Sequence, residues 1–143
     1  MINYEKDFYG WTQEQAGLLR AGRLLDLDIA NLIEEIETMG RSEKRELQNR
    51  LTVLLVHLLK WAFQAERRGR SWRLTISGQR INFMDVLSDN PGLKPHLPLL
   101  LVNAYRLARI NAAKESGLDL RSFPDCCPWT WEQIMDDDFY PET

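Results

Sequence analysis

Apolar residues recur at helical spacing along most of this chain. Ile29, Leu32, Ile33, Ile36 and Met39 share one side of a helical projection, with Asn31, Glu34, Glu35 and Thr38 on the other, so the pattern predicts an amphipathic helix from about Asp28. Gly40 ends or bends it, and Ser42 is a natural cap for a longer helix to about Glu66. From Leu51 to Phe63 that helix is apolar almost all round, the mark of a central element packed on several sides. One stripe breaks the pattern: Glu46, Arg50, Val53, His57, Lys60 and Gln64 recur at steps of three and four and so share a side.

An earlier helix is announced by Trp11-Thr12-Gln13-Glu14-Gln15, with Thr12 as cap and Gln15 returning the bond. After the loop Arg67–Ser71, the segment Trp72–Leu87 fits a helix through Trp72, Ile76, Phe83 and Leu87, while Trp72-Leu74-Ile76 followed by Ser77-Gly78 also fits a strand and turn. Helix is preferred, with Gly78 costing it about 1 kcal/mol. Asn90-Pro91-Gly92 is a break, and a last long helix runs from Pro95 or Pro98 to Gly117. Its Ala104, Ala108 and Ala112 permit close helix approach. The tail is irregular around Pro124, Cys126, Cys127 and Pro128, then enters a short helix at Trp129-Thr130-Trp131-Glu132-Gln133. That pentad repeats the Trp-Thr-x-Glu-Gln of residues 11–15, and a capping motif accounts for both without a duplication.

Composition narrows the class. With 143 residues and 44% apolar content, including five Trp, the chain reads as one folded domain with a core of its own. No basic and apolar leader opens the sequence, and the run from Leu51 to Phe63 is interrupted by His57 and Lys60 and too short for a bilayer. A cytoplasmic protein without membrane association is the expectation. The adjacent Cys126 and Cys127 do not form an ordinary unstrained disulfide and are read as small packing residues. The net charge of −3 conceals segregation: residues 1–40 carry 3 Lys/Arg against 8 Asp/Glu, residues 41–80 carry 10 against 3, and residues 81–143 carry 5 against 10. Either the basic middle pairs with acidic helices of the same fold, or it faces an acidic partner.

The chain resembles a bacterial domain-of-unknown-function family, number twenty-nine, abundant in cyanobacteria. The resemblance is carried by Tyr4-Glu5-Lys6-Asp7-Phe8-Tyr9, by the run from Asn31 to Arg45, and by His57-Leu58-Leu59-Lys60-Trp61. Arg70-Ser71-Trp72, Asn90-Pro91, Phe123-Pro124 and Cys127-Pro128 extend it over essentially the whole chain. It implies an all-α fold, hence helix at Trp72, and assigns no activity and no catalytic residue. Gly78 and Gly92 depart from the family pattern.

Two constellations carry candidate chemistry. If the helix from Asp28 packs antiparallel on the helix from Ser42, Glu34 and Glu35 approach His57 and Lys60, joining carboxylate, imidazole and ammonium in a site for acid–base work. Solvated or ion-paired glutamates are the plainer alternative. Metal is not expected, since the chain has only His57 and His96 and lacks a Glu-x-x-His pair; no cofactor is implied. The second constellation is Arg67, Arg68, Arg70, Trp72, Arg73 and Arg80, where arginines would meet phosphates and Trp72 would stack on a base of single-stranded nucleic acid. Its plainer alternative makes Trp72 a core anchor. The sequence reading is an all-α, single-domain helical bundle with a long central helix and an irregular Pro/Cys tail. Its expected role is a non-enzymatic module that binds a protein, with nucleic-acid binding, a Glu/His/Lys enzyme and homo-oligomerisation as alternatives.

Overall fold

Gly40 does not end a helix. In the computed structural model, which describes residues 1–142, Ile29–Phe63 is one continuous helix of 35 residues. A glycine inside a helix costs only about 1 kcal/mol, and the turns that flank it are tied across it by Arg41, which reaches back to Glu34 at 3.4 Å and Glu37 at 3.7 Å. Ser42 therefore lies inside a helix and caps nothing, which corrects the expectation of two helices there.

The elements are α1 (Phe8–Arg20), α2 (Ile29–Phe63), α3 (Arg70–Asp89), α4 (Leu97–Ser116) and α5 (Trp131–Met135), joined by short 3-10 turns. No strand occurs among the described residues, so the fold is all-α and Trp72 lies in a helix. The chain divides into two compact units, Met1–Ser42 and Glu43 onward.

In the first unit, α1 begins three residues before the Trp11 motif. Asp7 is the cap, its carboxylate accepting from Gly10 N at 2.9 Å, while Thr12 sits in mid-helix and donates to Tyr9 O. Gln15 is buried and accepts from Asp28 N at 2.8 Å, and Trp11 Nε1 donates to Asp28 Oδ2 at 2.9 Å. These two bonds fasten α1 to the start of α2. Tyr4, Phe8 and Trp11 pack edge-to-face and stacked at centroid distances of 4.7 to 5.8 Å, each pair adding about 0.5–1.5 kcal/mol beyond its burial.

The second unit holds the main core. Leu51, Leu54, Leu55 and Leu58 are wholly buried, as are Ile76 and Phe83 of α3 and Ala104, Ala108 and Ala112 of α4. The three alanines, one per turn, leave room for a neighbouring backbone. Gly117 closes α4 in the left-handed conformation at φ 76°, which glycine adopts without a Cβ penalty. In α5 the expected cap is present in full: Thr130 Oγ1 accepts from Gln133 N while Gln133 Oε1 accepts from Thr130 N. Pentads that share the Trp-Thr-x-Glu-Gln pattern thus take different roles, because Asp7 caps the start of α1 whereas Thr130 caps α5.

Candidate functional site

The meeting of Glu34 and Glu35 with His57 and Lys60 depended on a helical hairpin that does not form. All four residues belong to α2, Glu34 and Glu35 in its part within Met1–Ser42 and His57 and Lys60 in its part from Glu43 onward. Lys60 finds a carboxylate elsewhere. Its Nζ lies 3.3 Å from Glu115 Oε1 of α4 and 5.0 Å from the centroid of the Trp72 ring, and Lys60 is only 8% exposed. His57 Nδ1 lies 2.9 Å from Val53 O. Burial pushes the imidazole pKa below its ordinary value, opposed by the Val53 carbonyl, assisted by the Lys60 charge and opposed again by Glu115. The polar stripe of α2 therefore turns inward at its C-terminal end, where Gln64 is also buried. Glu115 was missed in the sequence because nothing about its position in α4 distinguishes it from other exposed glutamates.

Of the basic segment, Arg80 is turned fully inward at 1% exposure. Its guanidinium donates to Ile134 O at 2.8 Å, Asp137 O at 3.3 Å and Phe139 O at 2.7 Å, and lies over the Tyr140 ring at 5.6 Å. Arg80 thus clasps the tail after α5 by its carbonyls. Arg73 lies over the rings of Trp61 and Tyr140 at 5.1 and 4.6 Å, and Arg68 donates to Trp61 O at 2.6 Å. Trp72 is half-buried beneath Lys60, while Arg67 and Arg70 are exposed. The arginines and Trp72 are therefore divided between tail fastening, aromatic packing and solvent.

The first unit presents the geometry that the sequence pattern concealed. Ile33 is 51% exposed, and Ile36 and Met39 are each 61% exposed, so the apolar face of this stretch of α2 is open. A groove of about 310 Å³ runs between α1 and α2, its floor made by Trp11, Ala16, Leu19, Leu32, Ile36 and Met39. Gln15 also lines it; this side chain is 2% exposed, and its Nε2 has no acceptor among the described residues. Glu35 stands at the groove and accepts a hydrogen bond from the Tyr4 hydroxyl, whose pKa is pushed up to about 12 chiefly by that bond. Asp28 is held below the usual carboxylate range by Asn31 Nδ2 and Trp11 Nε1, which both donate to it. Met1–Ser42 carries four Lys/Arg against eight Asp/Glu. The chemistry offered is an apolar floor, an acidic surround and one buried donor.

Among the described residues, no cluster of three or more His, Cys, Asp or Glu is placed to hold a metal ion, and no helix is long and apolar enough to cross a membrane. The family model described as "Domain of unknown function DUF29" matches residues 3–140, and the chain belongs to that family. No curated protein and no solved structure matches it.

Proposed function

We propose that this member of the DUF29 family is an interaction module whose α1–α2 groove receives an amphipathic helix of a protein partner, apolar on one face and basic on its flanks. The observation that carries the reading is the open run Ile33, Ile36 and Met39, of which Ile36 and Met39 line the groove. Three large apolar side chains on consecutive turns of one helix favour association, at about 25 cal/mol for each Å² removed from water. A groove between two helices is filled best by a third helix that presents residues at i, i+3, i+4 and i+7. Met39 adapts to varied side chains. The acidic excess of Met1–Ser42 favours a basic occupant over a second copy of the same acidic surface. Gln15 Nε2 offers a donor to the occupant's polar edge.

The test is calorimetric titration of the full chain with a synthetic Leu/Lys amphipathic helix of about 18 residues. Saturable binding is expected, weakened at least tenfold by Ile36→Glu and weaker again for a Leu/Glu peptide of the same pattern. Equal binding by Ile36→Glu would overturn the reading. So would a dimer of the chain that Ile36→Glu dissolves, since the groove's occupant would then be a second copy.

A further inference from the structure

A second cavity, of about 470 Å³, opens between α4 and the C-terminal tail. Its volume is that of an ordinary small-molecule site. Leu101, Val102, Tyr105 and Ile110, along one face of α4, and Leu120, from the turn that follows, make it apolar; the segment Asp125–Cys127 forms the facing wall. The wall is fastened to α4. The Tyr105 hydroxyl donates to Pro124 O at 2.6 Å, Arg109 Nε donates to Phe123 O at 3.2 Å, and the Arg109 guanidinium pairs with Asp125 at 3.0 Å. A site bounded in this way is preformed and loses little freedom on binding.

The charges of the lining do not cancel. Arg109 is matched by Asp125, whereas Arg106, also on the lining, has no ion pair among the described residues. Cys126 and Cys127 are free thiols, and burial pushes the Cys127 thiol pKa up, so it adds no compensating negative charge near neutral pH. The cavity therefore has an apolar body and one surplus guanidinium. We infer that it binds an amphipathic monoanion, a small apolar chain or ring bearing a single carboxylate, with the carboxylate on Arg106. A guanidinium offers two parallel donors to a carboxylate, and the apolar lining takes the hydrocarbon. All of these residues belong to the unit from Glu43 onward, and the inference stands independently of the α1–α2 groove.

Decanoate is a suitable probe, titrated calorimetrically into the full chain, with decanol as its uncharged counterpart. One-to-one saturable binding is expected for decanoate. Arg106→Gln should weaken it about tenfold or more, the size of a lost charge-assisted hydrogen bond. Decanol, which lacks the carboxylate, should bind the two proteins equally and more weakly than decanoate binds the wild type. Val102→Trp, at a position exposed enough to accept a larger ring without disturbing the core, should fill the cavity and abolish binding. Absence of saturable binding up to about 1 mM, or decanoate affinity unchanged in either variant, would overturn the inference.

Discussion

Lys60 and Glu115 are 55 positions apart in sequence, and their side chains meet at 3.3 Å, joining α2 to α4. The Lys60 side chain is 10% exposed and that of Glu115 is 49% exposed, so the pair is screened on one side only and the Trp72 ring supports the ammonium on another. A double-mutant cycle of Lys60→Met and Glu115→Gln should give a coupling of about 0.5–1 kcal/mol. Strict additivity of the two substitutions would show that Glu115 is not the partner of Lys60.

His57 makes stability depend on pH. Its pKa in the folded protein lies below the ordinary 6.5, with burial the largest cause; Lys60 of α2 and Glu115 of α4 are the charged groups that act on it. The unfolded chain therefore takes up the proton first on acidification. The stabilisation is complete above the unfolded value and is lost as pH falls through the folded one. Between about pH 7.5 and pH 5, the midpoint of thermal unfolding should fall further for the wild type than for His57→Gln. Parallel pH profiles would show that His57 titrates alike in both states.

The core of the second unit allows a direct check. Leu55→Ala or Leu58→Ala, each at a wholly buried position, should cost about 2–5 kcal/mol in urea unfolding, from lost transfer energy and the cavity left behind. A loss below about 0.5 kcal/mol is the level of surface substitutions and would place these residues outside the core.

Arg80→Met should release the tail. Three carbonyls, of Ile134, Asp137 and Phe139, lose their common donor; a single hydrogen bond to a charged group contributes about 1.5–3 kcal/mol. Limited proteolysis should then cut after α5 faster than in the wild type. Arg80→Lys should restore only part of the protection, since an ammonium lacks the planar fork that reaches three acceptors. Equal cleavage rates in all three proteins would show that the tail is held by Tyr140 packing alone.

These residues also show which features the sequence could reveal. The apolar surround of Leu51–Phe63 encodes burial on most sides, and the structure has it, with Val53 exposed and His57 and Phe63 half-buried. Ala104, Ala108 and Ala112 marked a close approach in the same way. At Ile29–Met39 the same periodicity marks an apolar face, yet Ile29, Ile33, Ile36 and Met39 are exposed; spacing reports that a face is apolar and does not identify what covers it. Gly40 suggests an end or a bend by local propensity, which takes no account of the Arg41 pairs that span it. The Arg80 clasp was illegible for another reason. Its acceptors are backbone carbonyls, which every residue carries, so no side chain in the tail advertises the contact. Arg106 differs from the other arginines only through the cavity the folded tail creates beside it.

The most direct test of the docking groove places a photo-reactive side chain at position 36, and separately at position 37, in the presence of the basic Leu/Lys helix. Both positions are exposed, Ile36 on the groove floor and Glu37 paired with Arg41 on the polar side. Exposure alone therefore does not distinguish them. The account predicts a one-to-one cross-link from position 36 and little or none from position 37. Equal yields from the two positions, or none from either at saturating peptide, would contradict it.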